Sequence, residues 1–426
     1  MLCVELISTT PELCRAGNCL TRLWREVRLD MDKHLDDRRT MILESRRVCE
    51  IPPFIVMDVL ERAKELEREG RSVIHLEVGE PDFPTPEPIR EACLRALSAG
   101  ETGYTPSLGI PELREAIAEF YSKRYGIEVS PQRVIVTPGS SPAFMLVFAA
   151  LLDPGDEVII SDPCYACYPN YVRASEGVPV RVKVPAENGF RFVPGELASH
   201  ITARTKAILI NSPANPTGNL LTGEDLRALA DLGVLVVSDE IYQGLVYEGH
   251  AHSILEFTDR AFVISGFSKT YAMTGWRLGY AIVPDEFVRP IQKLQQNLLI
   301  CAGSFTQRAA LAAFSDECRP YIEEMVRTYD ARRKYILPRL AEIGLSVAVE
   351  PTGAFYVLAD AMKYSQDSYD LAFRILEECG VAVAPGIDFG PNAEGYLRFS
   401  YANSLENIVE GLSRLERFLA GLARQE

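Results

Sequence analysis

Apolar positions along the chain fall into two rhythms. Between about residues 111 and 283, helical patterns alternate with short Val/Ile-rich runs: Val134 to Thr137, Glu157 to Ser161, Val178 to Val184, Ala207 to Asn211, Val234 to Ser238, Phe262 to Ser265, and Leu278 to Val283. Each run is apolar on both faces, which suits strands covered above and below, and the alternation predicts crossover units around a mostly parallel sheet. Upstream, Val56, Val59, Leu60, Ala63 and Leu66 recur at helical spacing after Pro52-Pro53 and the pattern stops at Gly70, so a helix is predicted. A strand from Val73 to Val78 then runs into Gly79-Glu80-Pro81-Asp82-Phe83-Pro84, a breaker-rich loop where glycine lets a ligand approach the backbone. Beyond about residue 308 come a long helical stretch, shorter strands (Phe355 to Leu358, Tyr396 to Ser400), and a last helix with Leu405, Ile408, Leu412, Leu415 and Leu419 on one face.

The pattern predicts an α/β fold: a large domain with a mostly parallel seven-stranded sheet flanked by helices, and a smaller α+β domain. The expected boundaries are 85–308 for the large domain, 309–426 for the small one, and 45–84 for an N-terminal helix and arm joining the small domain. Length agrees, because 426 residues exceed what one hydrophobic core normally serves. Residues 1–44 lack this patterning and mix acids with arginines around Cys3, Cys14 and Cys19. They match neither a signal nor a transit peptide, and a poorly ordered extension or an upstream-start artefact is expected.

Charge narrows the function. With 59 acidic against 44 basic residues, the net charge of -15 opposes nucleic-acid and anionic-membrane partners. No uncharged apolar run approaches the twenty or so residues that cross a bilayer. Ten scattered cysteines suit reduced thiols in a cytoplasm. Cys164 and Cys167 form a C-x-x-C without a second pair, and the five histidines show no ligand spacing, so no metal is assigned.

The polar punctuation falls at strand ends. Lys269 follows the run Phe262 to Ser265, at the edge where open α/β sheets place ligands. Apolar walls would favour its neutral, nucleophilic amine, and Arg277, eight residues on, offers a forked donor for a dianionic phosphate. Together they suggest a phosphorylated aldehyde cofactor. Gly139-Ser140-Ser141 opens a helix, a phosphate-binding arrangement or simply an N-cap. Asp239, ending an apolar run, needs a cationic partner such as a protonated pyridine nitrogen, or serves as a helix N-cap. Asn215 lies in the rigid turn Asn211-Ser212-Pro213-Ala214-Asn215-Pro216-Thr217-Gly218, and Thr222 is placed to cap the helix that follows.

From about Ser45 onward the chain resembles the fold-type-I, pyridoxal-phosphate-dependent aminotransferases of class I/II, the aspartate aminotransferase superfamily. The resemblance rests on Ser268-Lys269-Thr270-Tyr271-Ala272-Met273-Thr274-Gly275-Trp276-Arg277-Leu278-Gly279, on Asn215-Pro216-Thr217-Gly218, on Asp239-Glu240-Ile241-Tyr242, and on Arg398-Phe399-Ser400, in that family's order. It implies that Lys269 carries pyridoxal 5'-phosphate covalently and shuttles the substrate proton, and that Asp239 keeps the pyridine nitrogen protonated. Asn215 and Tyr242 would bond the phenolic oxygen, and Tyr165 would stack on the ring. Gly139, Ser140, Ser141 and Arg277 would hold the phosphate. The position three before the lysine, a serine in some members, is Gly266 here, so that role is assigned to Ser268, which equally suits a helix cap. Arg398, assisted by Gly79 and Asn215, would clamp the substrate carboxylate. Tyr104 would reach the phosphate of a neighbouring subunit, implying a homodimer with shared sites.

Transamination between an L-amino acid and a 2-oxo acid in two half-reactions is therefore expected. Some aspartate-preferring relatives carry a cation in the helix-opening loop or in a neighbour's loop. Here Ser141 occupies the first place and Asn297-Leu298-Leu299-Ile300-Cys301-Ala302-Gly303-Ser304 carries no charge. Neutral donors are favoured, with 2-oxoglutarate or pyruvate as acceptor. The alternatives are a carbon–sulfur β-lyase of the same fold and, more remotely, a non-catalytic cofactor-sensing module, which the acidic charge and the missing basic helix-turn-helix oppose.

Overall fold

Seven strands build the main sheet of this computed structural model, in the order β2-β8-β7-β6-β5-β3-β4. They are β2 Val134–Thr137, β3 Glu157–Asp162, β4 Val178–Lys183, β5 Thr205–Asn211, β6 Leu235–Asp239, β7 Ala261–Gly266 and β8 Gly279–Ile282, each within two residues of a predicted run. Only β8 runs against the rest, antiparallel to both β2 and β7. Neighbouring side chains point to opposite faces, and two apolar cores result. Val136, Ile159, Ile208, Val236 and Val263 belong to one, and Ile135, Val158, Leu209, Val237 and Phe262 to the other. Burying one such side chain contributes about 1.5–3 kcal/mol, which is why the inner strands carry apolar residues on both faces, whereas the edge strand β4 alternates Val180 and Val182 with Arg181 and Lys183 and is partly exposed.

The structure describes residues 44–422; the extension expected over 1–44 lies outside them apart from Glu44. The chain divides into units Met1–Glu50 and Ile51–Glu426, and the described part of the first, residues 44–50, contains the short helix Arg46–Cys49. In the second unit, helix Ile55–Arg68 buries Val56, Val59, Ala63 and Leu66, as its spacing predicts. Beyond the main sheet, β9 Tyr356–Asp360, β11 Ala384–Pro385 and β12 Tyr396–Ser400 form an antiparallel sheet with β12 in the middle. The strand expected over Val73 to Val78 is paired only at β1 Ile74–His75, parallel to β10 Val381–Ala382. Thr222 caps its helix, accepting the Asp225 amide within a capping box. Among the described residues no helix is long and apolar enough to cross a membrane.

Candidate active site

Parallel strands deliver their last residues to one edge. Asn211 ends β5 and pairs with Asp239, which ends β6, and Asp239 in turn pairs with Ile264 of β7. Beyond this edge lies a cavity of about 570 Å³ lined by Gly79, Ser140, Ser141, Tyr165, Asn215, Asp239, Tyr242, Ser268, Lys269, Arg277 and Arg398. Eleven predicted positions therefore meet in one place, as the carboxyl-edge rule requires. Gly139 stands directly before them as the residue preceding helix Ser140–Leu151, with φ 104°. Tyr104 is not brought in; it is 84% exposed. A cavity of about 720 Å³ elsewhere, lined by Phe120, Tyr125 and Tyr271, contains none of the predicted residues.

Lys269 opens onto the cavity and donates to the Gly79 carbonyl at 2.5 Å. Burial lowers its amine from 10.5 to about 8, with Arg398 and Arg277 pushing the same way and Glu80 and Asp239 opposing. Asp239 is buried, and desolvation raises its carboxyl to about 6 against the hydrogen bonds that favour its charged form. Those bonds are a 2.7 Å bond from the Tyr168 hydroxyl to Oδ2 and a 3.1 Å bond from the Ile241 amide to Oδ1. No helix follows Asp239 or Ser268, only turns, so neither serves as a helix cap.

Arg398 occupies the central strand β12, paired with Leu358 and Ala384. Its guanidinium lies over the rings of Tyr356 and Phe389, at 4.4 and 4.8 Å from their centroids. Nη1 donates to Asn215 Oδ1 at 3.0 Å, Nη2 donates to the Glu77 carbonyl, and Nε is buried with no partner. Asn215 is itself held by its amide donating to Asn211 Oδ1 at 2.8 Å. Tyr242 and Tyr356 share a 2.8 Å hydroxyl contact, and Tyr165 meets Tyr168 edge to face at 5.3 Å. Sequence reading had not singled out Tyr168, Tyr356 or Asn211. Tyr168 carried a signal, lying three residues after Tyr165, and Asn211 ends a strand. Tyr356 reads simply as core.

Three glycines explain the close packing. A Cβ on Gly139 would lie 2.7 Å from Arg277 Nη2, and one on Gly279 would lie 2.6 Å from Ser140 N. The lysine-bearing turn thus sits directly on the helix-opening loop. A Cβ on Gly266 would approach Gly279 Cα to 2.9 Å, so the two strands meet there too closely for a side chain.

The chain belongs to the aminotransferase class I and II family, whose model matches residues 71–415. It is accordingly an enzyme of the transferase class, with PLP fold type I. Among similar proteins, the (5-formylfuran-3-yl)methyl phosphate transaminase of Methanocaldococcus jannaschii is 43% identical over 88% of this chain and 99% of its own. The aspartate/prephenate aminotransferase of Thermus thermophilus is 43% identical over 88% of this chain and 98% of its own. The solved structure of Thermus thermophilus aspartate aminotransferase with maleate covers 88% of this chain and all of its own at 42% identity, with a TM-score of 0.85.

The family's cofactor is pyridoxal 5'-phosphate, and the residues present fit it. A buried acid at the floor suits a cationic ring nitrogen, the free amide end of helix Ser140–Leu151 with Arg277 suits a dianion, and a lysine with a lowered pKa suits an aldehyde.

Proposed function

We propose that this transaminase takes the amino group from a neutral L-amino acid and delivers it to a 2-oxo acid, with Lys269 carrying the proton. The carrying observation is the set of cations at the site. Among the described residues, only Lys269, Arg277 and Arg398 bring positive charge to the cavity lining. One is taken by the aldehyde end of the cofactor, one by the phosphate and one by the donor's α-carboxylate. A second carboxylate on the donor would need a fourth, and it would meet Phe54, Val56, Met57 and Leu60 instead.

Pyridoxal phosphate, when bound, supplies the electron sink for the carbon that loses its proton. Lys269, lowered to about 8, has an appreciable neutral fraction near pH 7 and can take a proton at the donor Cα and return it. Asp239 would hold a proton on the ring nitrogen. Asn215 and Tyr242 would bond the ring's phenolic oxygen, and Tyr165 would cover its face. Ser140, Ser141, Ser268 and Arg277 would bind phosphate, with Gly139 leaving room for the guanidinium. Arg398 would present a fork to the α-carboxylate, the rings of Tyr356 and Phe389 packed against its guanidinium fixing the orientation. The exposed Tyr104 would complete the phosphate site of a second copy, making a homodimer. Residues 85–308 and 309–426 would form the large and small domains, with 45–84 joining the latter, and free cysteines suit a cytoplasmic setting.

Half-reactions with alanine, phenylalanine, aspartate and glutamate, followed by the cofactor's change in absorption, test this reading. Faster reaction of a neutral donor is expected, with pyruvate or 2-oxoglutarate reversing the change. Aspartate reacting fastest would overturn the neutral preference, and steady release of pyruvate and ammonia from cystathionine would overturn transfer in favour of lysis.

A further inference from the structure

Helix Ile55–Arg68 begins without a cap of its own, since Phe54 precedes it and offers no side-chain acceptor. Its first two amides are met from 333 and 332 residues further along the chain. Ile55 N donates to Asp388 Oδ1 and Val56 N to Asp388 Oδ2, each at 3.1 Å. A carboxylate here satisfies two otherwise orphaned donors and faces the positive end of the helix dipole.

Asp388 belongs to the single turn Gly386–Phe389. The adjacent Phe389 is fully buried and its ring lies against the Arg398 guanidinium. Its carbonyl accepts the Cys164 amide at 3.0 Å, which ties the turn to the segment bearing Tyr165. One short turn therefore touches the arginine assigned to the donor's carboxylate and, through Asp388, the helix whose Val56, Met57 and Leu60 line the cavity with Phe54.

We propose that Asp388 is a positioning residue for donor specificity: by capping this helix from across the chain, it sets where the apolar wall stands relative to Arg398, and so which side chains the cavity accepts. The proposal rests on the neutral-donor reading, because a wall of Phe54, Val56, Met57 and Leu60 selects through apolar contact. Phenylalanine uses such a wall most and alanine least.

The test compares cofactor-loaded wild type, Asp388→Ala and Asp388→Asn with phenylalanine and alanine as donors, together with amide hydrogen exchange at residues 55–58. Losing a cap of typical strength corresponds to about a fivefold effect. Asp388→Ala is expected to raise KM for phenylalanine about fivefold while kcat stays within about twofold, to leave KM for alanine within about twofold, and to speed exchange in the first turn. Asp388→Asn retains an acceptor and the side-chain shape, and should fall between the two. Equal losses with both donors, or an unchanged ratio of the two KM values, overturn the proposal. Failure of the neutral-donor reading shows separately, as wild type reacting best with aspartate, and the exchange measurement does not depend on that reading.

Discussion

The hydroxyl of Tyr168 donates to the carboxylate of Asp239 at 2.7 Å, both side chains buried on the same face of the main sheet. Burial drives Asp239 toward its neutral form and this bond drives it back. The ionisation of this buried acid is therefore set mainly by burial and offset by a tyrosine from another element.

Tyr168→Phe is accordingly expected to raise the pKa of Asp239 in the cofactor-free protein. Asp239 is raised to about 6, so its anion is present above that value and is lost as pH falls through it. A bond to a charged group contributes about 1.5–3 kcal/mol, so removing it should raise that pKa by about one to two units. A carboxyl titration of the cofactor-free wild type and variant by NMR that shows the same Asp239 midpoint would reject this account.

Removing the charge itself should be far more costly. Asp239→Asn keeps the side-chain shape, and kcat is expected to fall about 100-fold or more, the range typical of losing a positioned proton-holding group. Absorption of the bound cofactor, measured in parallel, separates this loss from failure to bind.

Lys269 gives the opposite sign in stability. Its folded pKa of about 8 lies below the ordinary 10.5, so folding a protonated Lys269 carries a penalty that is complete below about pH 8 and relieved as pH rises toward 10.5. At about 1.4 kcal/mol per unit the shift would correspond to about 3 kcal/mol, and contact with the open cavity reduces this to about 1–2 kcal/mol. Lys269→Met should therefore make the cofactor-free protein more stable at pH 7 and lose that advantage near pH 10, as chemical denaturation at both values would show.

Gly79 stands where a methyl group would lie 2.0 Å from the Tyr356 hydroxyl, itself 2.8 Å from Tyr242. Gly79→Ala is expected to destabilise the fold by about 1–3 kcal/mol through overpacking. Adding Tyr356→Phe removes the nearest clash, so the double variant should lose less stability than the two single losses added together. Strict additivity in thermal or denaturant unfolding would contradict the contact.

Much of this was legible in the chain before any coordinates. The seven strand runs appear at their predicted places because short Val/Ile-rich runs bounded by turns suit strands, the inner ones buried on both faces and the edge strand β4 on one. Lys269, Asp239 and Asn215 follow or close strands whose ends share one edge of the main sheet, and Arg398 reaches them from the middle of β12 in the other sheet. What escaped were partners of those residues. Tyr356 begins a strand of core residues, and nothing in its neighbours marks a hydroxyl aimed at Tyr242. Asp388 meets its amides from the far end of the chain, a relationship no local spacing encodes. The strand expected over Val73 to Val78 is paired at only two positions, because its partner β10 is itself just two residues long. Tyr104 stays exposed, and its proposed work lies in another copy of the chain.

The reversed strand β8 has a further effect. Because β7 returns directly through an antiparallel partner, closed at its base by the Gly266–Gly279 pair, Lys269 and Arg277 ride on one sealed loop rather than on separate crossover units. The attachment point and the phosphate anchor proposed for the cofactor then lie eight residues apart on one loop closed by paired strands. The loop is a gauge of ligand length: an analogue with one more carbon between ring and phosphate would be expected to reach one anchor and miss the other.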